Sequence, residues 1–363
     1  MKRFLAVVGL LIIFGSLALT LVMVFSACPA RTAPAAEVLE DTRFLLGTVV
    51  EVRLYDGGQD IFDPLFEEVR RLESLLSLNI EDSELNRINR AAGRAPVKVS
   101  PETFEVIRRG LDYSRLSGGR FDISIGPLIE LWHIGYEDAR VPGEEEIAAA
   151  LPLISWTRVK LDEGEQTVFL EEPGMILDLG GIAKGYVADR MAAFLRQGGK
   201  DQALLNLGGN VLVVGYKGDG SDFRIGVQDP RDVRGSMVGI LTFPGNRSVV
   251  STGAYERFLQ VGDRIYHHVL DPSTGYPGEN SLLQATIVSE YSVDGDGLST
   301  SVFLLGLEEG LALIESLPGA EAVLVDEDNR VYITSGLFES FTLTNAAYRP
   351  GNFAEGPVFP RVP

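Results

Sequence analysis

Asp296 and Thr300 stand four residues apart in the run Val293-Asp294-Gly295-Asp296-Gly297-Leu298-Ser299-Thr300. At helical spacing a carboxylate and a hydroxyl then share one face. Two hard oxygen donors suit Mg²⁺, which keeps several waters and binds substrate phosphates. A helix cap is the plainer role for Asp296, and both remain open. An EF-hand does not fit, because Leu305 falls where the loop needs a bidentate Glu. A second constellation is Asp178-Leu179-Gly180-Gly181-Ile182-Ala183-Lys184-Gly185. Its pattern predicts a strand running into glycines where a helix begins. Such a turn presents free backbone groups, and a helix N-terminus favours anions. Lys184, in the first turn, is placed to reach a phosphate, although tight packing alone would also explain the glycines. Two of the chain's three histidines are adjacent, His267 and His268, just before Asp271-Pro272. Neighbours on a strand face opposite sides, which argues against a zinc pair and leaves one histidine as a base or as a structural group.

The elements that must position these groups follow from periodicity. Arg43 to Tyr55 is β-branched and predicts a strand. Leu65–Leu78 repeats apolar residues at helical spacing, and Ser83 is set to cap a short helix over Glu84–Ala92. Pro101 opens a helix that runs to Leu116. Val141–Leu153 predicts a short helix, Val159–Leu161 with Thr167–Leu170 a hairpin, and Ile182–Arg196 a helix closed by Gly198-Gly199. The chain is β-rich from Ala203 to Val269, with a further strand over Leu283–Ser289. Helices are expected at Gly297–Leu305 and Glu308–Leu317, and a last hairpin around Asp328-Asn329. Strands and helices mix without regular alternation, which predicts an α+β fold.

Six segments occur in a fixed order: GGRFDISIGPLIELW, DLGGIAKGYVAD, NLGGN, STGAYERF, HHVLDPSTGYP and DGLSTSVFLLG. Together they resemble the ApbE-like FAD:protein FMN transferases over roughly residues 43 to 340. The resemblance implies an α+β architecture of mixed and antiparallel sheets with flanking helices and a flavin cleft. It implies FAD as substrate, Mg²⁺ as cofactor, and an acceptor flavoprotein whose Ser or Thr receives FMN as AMP leaves. Carried over residue by residue, FAD contacts fall on Leu46, Asn79, Arg120, Phe121, Asp122, Asp178, Lys184 and Leu270. Metal ligands fall on the Gly181 carbonyl, Asp296 and Thr300, and the catalytic groups are His268, Asp296 and Lys184. The chain departs from the family pattern with Leu46 for Met, Arg120 for a small residue, and Gly-Asp-Gly-Leu for Ala-Asp-Ala-Leu. Two alternatives share the motifs: a Mg²⁺-dependent FAD pyrophosphatase and a non-catalytic FAD-binding lipoprotein. Self-modification at Thr252-Gly253-Ala254 is disfavoured, because Tyr255 stands where Ser or Thr is needed.

The ends carry a different signal. Lys2 and Arg3 precede an uncharged stretch, Phe4 to Phe25, then Ser26-Ala27-Cys28. This predicts a lipoprotein-type export signal over residues 1–28, with lipid on Cys28, the chain's only cysteine. An uncleaved membrane anchor is the alternative, and either puts the domain on the periplasmic or extracellular side of a membrane. Residues 29–40 predict a flexible tether, 41–345 the domain, and 346–363 a loose Pro-rich tail. A net charge of −19 argues against a nucleic-acid partner.

Overall fold

A computed structural model describes residues 38–232 and 235–351. The expected export signal, Cys28 and nearly all of the expected tether lie outside the described residues. The strands and helices begin with a hairpin, β1 (Leu39–Leu45) and β2 (Thr48–Leu54), then α1 (Phe62–Leu76), α2 (Glu84–Arg90), β3 (Val97–Lys98), α3 (Pro101–Leu116), α4 (Gly126–Trp132) and α5 (Glu144–Ala150). There follow β4 (Val159–Asp162), β5 (Thr167–Leu170), α6 (Ala183–Gln197), β6 (Ala203–Leu207), β7 (Asn210–Val214), β8 (Phe223–Gln228), β9 (Met237–Phe243) and β10 (Arg247–Gly253). Then come β11 (Phe258–Val261), β12 (Arg264–His267), β13 (Leu282–Ser289), α7 (Ser292–Leu305), α8 (Leu307–Glu315), β14 (Glu321–Asp326), β15 (Arg330–Ile333), β16 (Phe341–Leu343) and β17 (Arg349–Pro350).

One nine-stranded sheet, ordered β1-β2-β6-β7-β10-β13-β14-β15-β17, organises the fold. Its pairs are antiparallel except β15 with β17. Side chains alternate between two cores, as the two-residue period of a strand demands. On one face Ala285, Ile287, Ala322 and Leu324 pack with residues of α1, α6 and α7. On the other, Val288, Val323 and Val325 pack with the small sheet β16-β9-β8. A third cluster gathers Leu128, Trp132, Ile147 and Leu270 beneath α4 and α5. The mixed α+β architecture is therefore the expected one.

Local chemistry sets several boundaries. Ser83 accepts the Asn86 N–H at 3.0 Å and Ser100 that of Thr103 at 3.3 Å, satisfying donors that open α2 and α3. Four expectations need correction. The single strand over Arg43–Tyr55 is a hairpin, because Leu46 (φ 56°) and Gly47 (φ 67°) make a two-residue turn with both φ positive; a leucine in that position gives no turn signal. Leu39 and Glu40, assigned to the tether, belong to β1. The stretch before Gly180 is extended but makes only an isolated parallel bridge, Ile176 with Ile125, and joins no sheet; on its other side the Asn89 side-chain amide accepts from Leu177 N at 2.8 Å and donates to its carbonyl at 3.1 Å. Arg349 and Pro350 pair with β15, and Tyr348 is buried with its hydroxyl on Asp229, so the start of the expected tail is part of the fold.

Candidate functional site

The site forms where the start of α6 meets the second turn of α7. α7 begins at Ser292, five residues before the expected start, so Asp296 lies inside the helix and is not its cap. Asp296 and Thr300 therefore share a face, as their spacing required. Asp296 is buried; its Oδ2 accepts the Gly185 N–H at 2.8 Å, and Lys184 Nζ stands 3.6 Å from Oδ1. Lys184 also donates to the Gly180 carbonyl at 3.4 Å. Thr300 Oγ1 lies 3.3 Å from Thr252 Oγ1, which sits 2.9 Å from Ser299 Oγ. Gly181 closes the group: a Cβ built there would lie 2.9 Å from Phe121 Cε2 and 3.8 Å from Thr300 Oγ1, so no side chain fits between them. One carboxylate and one hydroxyl thus share a face, with the Gly181 backbone close beside the hydroxyl. Among the described residues no three His, Cys, Asp or Glu side chains gather as a metal site. A cation here would rest largely on neutral oxygens and on ligands brought by a substrate, a donor set that fits Mg²⁺ and not zinc.

Asp189 on α6 supplies the cap that Asp296 does not. Its two oxygens accept the N–H groups of Ser292 at 2.8 Å and Val293 at 2.9 Å, fixing the start of α7 against α6. Desolvation raises its pKa to about 7, with the Asp294 charge adding to the rise. A carboxyl whose folded pKa lies above its unfolded value near 3.8 favours the native state fully below that unfolded value, and the contribution is lost as pH rises through about 7. Urea midpoints should therefore fall between pH 5 and pH 8, and Asp189→Asn should flatten that slope. An unchanged slope in the variant would assign the pH dependence to other groups. Tyr113 completes the same corner, donating to Asp294 and lying 2.4 Å from where a Gly297 Cβ would be. The tyrosine ring leaves no room for a side chain at Gly297.

The two histidines divide their tasks. His267 is occupied at both nitrogens: Nε2 donates to the Gly278 carbonyl at 3.0 Å and Nδ1 accepts from Val269 N at 3.3 Å. It packs edge-on against Phe303 and is structural. His268 lies just past β12, with Nδ1 3.2 Å from the Arg257 carbonyl. A carbonyl only accepts, so Nδ1 carries the hydrogen and the Nε2 lone pair is left available. Burial lowers the His268 pKa to about 4, and the positive charges of Arg257 and Lys184 push the same way. Desolvation raises the Asp178 carboxyl, opposed by the Gly180 N–H at 2.6 Å and by the charges of Lys184 and Arg257. Lys184 and Arg257 thus act together on Asp178 and His268, an electropositive setting for an anionic substrate.

The remaining expected contacts hold the walls of this region together. Arg120 Nη1 donates to Asp271 Oδ2 at 2.9 Å, and Asp271 Oδ1 accepts from Ser273 N at 2.8 Å, tying two distant motifs. Asp122 is buried with both oxygens engaged, by Ser124 N at 2.8 Å and Trp156 N at 2.9 Å, so it orders the loop that carries Phe121. Leu270 is buried beside Trp132. Leu46 sits in the β1–β2 turn with its N–H on Glu73 at 2.9 Å, and Asn79 is exposed with its amide oxygen 3.3 Å from the Tyr136 hydroxyl. Sequence reasoning gave no role to Asp189 or Arg257 and weighed Thr252 only for self-modification. All three lie inside quoted motifs, Asp189 at the end of DLGGIAKGYVAD and the other two in STGAYERF, and that membership was the only signal available for them.

Comparison with known proteins gives a consistent result. The ApbE family model matches residues 46–324. An FAD:protein FMN transferase of Klebsiella pneumoniae is 38% identical over 305 residues, spanning 84% of this chain and 94% of that protein. One from Treponema pallidum is 33% identical over 333 residues, spanning 86% and 92%. The crystal structure of the ApbE protein from Thermotoga maritima superposes with a TM-score of 0.75 at 31% identity, covering 83% of this chain and 98% of that one. The flavin transferase ApbE from Vibrio cholerae gives 0.74 at 25% identity, covering 83% and 98%.

Proposed function

This chain belongs to the ApbE family, and on that premise we propose that it is a Mg²⁺-dependent FAD:protein FMN transferase. In the reaction an acceptor Ser or Thr oxygen attacks the FMN phosphorus of FAD, a phosphoester bond forms, and the bridging P–O bond breaks to release AMP. The observation that carries the reading is the grouping of Gly181, Lys184, Asp296 and Thr300, with the Lys184 charge also acting on a histidine that is neutral at physiological pH. Mg²⁺ held by the Gly181 carbonyl, Asp296 and Thr300 would neutralise charge on the pyrophosphate oxygens. Lys184 presents a second positive charge to the departing phosphate. His268 Nε2 takes the proton of the acceptor hydroxyl. Phosphoryl transfer asks little covalent chemistry of the protein, so placement and charge carry most of the rate.

Purified protein, FAD, Mg²⁺ and an acceptor domain with a Ser/Thr flavinylation motif should give covalent flavin fluorescence on the acceptor. AMP release of equal size with no acceptor present would favour the pyrophosphatase reading. FAD binding without turnover would favour a storage protein. His268→Ala should lower transfer by about 10²–10⁴-fold. The wild-type rate should stay level from pH 8 to about 5 and fall as pH approaches 4, where His268 becomes protonated. A profile with its midpoint near 6.5, or one that His268→Ala leaves unaltered, would remove His268 as the base.

We also place the domain outside the cytoplasm, tethered through a lipid on Cys28. A tether raises the local concentration of enzyme around membrane-bound acceptors. Cys28→Ala should abolish labelling of the protein by a radioactive fatty acid, and a wild type that takes up no label would favour the uncleaved anchor instead.

A further inference from the structure

α4 ends at Trp132, and the chain turns sharply through His133 (φ 47°) and Gly135 (φ 100°). The turn lays the His133 and Tyr136 rings parallel, with centroids 4.1 Å apart and planes 10° from coincident. Both rings are open to solvent: Tyr136 is 46% exposed and the His133 side chain 37%. Two flat rings held in register on the surface do not contribute to any of the three cores.

The pair is fixed on several sides. His133 Nδ1 meets Asp138, the Tyr136 N–H donates to the His133 carbonyl at 3.2 Å, and the Tyr136 hydroxyl reaches Asn79 Oδ1 at 3.3 Å. Gly135 abuts Arg257: a Cβ there would lie 3.2 Å from Arg257 Cδ. Arg257 is the residue whose carbonyl orients His268 and whose charge acts on Asp178. The stack therefore stands between Asn79 and Arg257, at the rim of the electropositive site. A nucleotide whose phosphates lie beside Lys184 and Arg257 carries its rings outward, and a preformed aromatic face there binds without loss of side-chain freedom.

We propose that the His133–Tyr136 pair is the stacking platform for one ring system of the bound dinucleotide, with the Asn79 amide beside it to hydrogen-bond the ring edge. The proposal rests on the reading of FAD as substrate. It makes Tyr136 a specificity-determining residue that supplies a π-face and no part of the phosphate chemistry. Adenine and isoalloxazine are both planar nitrogen heterocycles, and the experiment separates them.

The test is to titrate wild-type protein, Tyr136→Ala and Tyr136→Phe with FAD, AMP and FMN by calorimetry. Tyr136→Ala should weaken FAD at least about tenfold, the size of one lost base–aromatic stack. It should weaken either AMP or FMN by a similar factor and spare the other, which identifies the ring. Tyr136→Phe keeps the ring and should stay within about threefold of wild type. In turnover assays the loss in kcat/KM should lie in KM. Wild type that binds FAD, together with Tyr136→Ala binding all three ligands equally well, overturns the platform and leaves the functional reading standing. Equal weakening by Phe and Ala also overturns it. Wild type that binds no FAD overturns both.

Discussion

Asp296→Asn is expected to cut FMN transfer by about 10³-fold or more while leaving a folded, FAD-binding protein. The reasoning is steric as well as electrostatic. Asp296 is buried, and its Oδ2 accepts a backbone N–H from Gly185 at 2.8 Å, a bond the Asn carbonyl oxygen can keep. The lost partner is Lys184, 3.6 Å away on a side chain that is one-third exposed, where an ion pair contributes little to stability. What disappears is the only formal negative charge among the three proposed metal donors. The thermal midpoint should move by a few degrees at most, and the Mg²⁺ concentration for half-maximal activity should rise steeply. Covalent flavin on the acceptor, measured across a Mg²⁺ titration, checks this. If Asp296→Asn keeps a tenth of wild-type activity at moderate Mg²⁺, the assignment of Asp296 as the anionic ligand fails.

Gly185→Ala should be the most damaging single-methyl substitution at the site. Its added Cβ would lie 2.3 Å from the Ser292 carbonyl oxygen, 2.7 Å from its carbonyl carbon and 2.8 Å from Val293 Cα. All three are backbone atoms at the start of α7, so no side chain can rotate away. Relief requires α6 and α7 to separate, which breaks the Gly185–Asp296 bond and pulls Ser292 and Val293 from Asp189. Overpacking of this kind costs about 1–3 kcal/mol, sometimes more, and lost hydrogen bonds to a buried carboxylate add to it. We expect a urea midpoint lowered to match, and transfer reduced at least as far as by Asp296→Asn even where the variant is folded. A variant with normal stability and activity would mean that the two helices are not in contact here.

Much of this was legible in the sequence, but unevenly. Pro101 and Ser83 marked helix starts because caps and first-turn prolines act locally, within the first turn. The Asp296–Thr300 relation survived a five-residue error in the start of α7, since i,i+4 spacing holds anywhere in a helix. The hairpin at Leu46-Gly47 was missed because its positive φ falls on a leucine, which the sheet tolerates only through β1–β2 pairing and the Glu73 contact. The extended segment before Gly180 was taken for a strand because its pattern is that of one; it makes a single parallel bridge to Ile125 through its backbone, and Leu177 bonds instead to the Asn89 side chain, eighty-eight residues away.

The sequence by itself determined the residue types that can do the chemistry, the order of the six motifs, and hence the family. These are chain-local facts: a carboxylate four residues from a hydroxyl, glycines before a helix, a histidine before an Asp-Pro turn. The tertiary structure decided which groups are available. Adjacent histidines are equivalent in sequence, yet the Gly278 carbonyl and Val269 N–H occupy both nitrogens of His267, while His268 keeps one lone pair. Asp122 and Asp178 sit in equally suggestive motifs, yet Asp122 is tied to Ser124 and Trp156 and Asp178 faces the charges of Lys184 and Arg257. The physical reason is that a side chain's reactivity depends on desolvation and on its hydrogen-bond partners, and those come from parts of the chain that meet only when it folds.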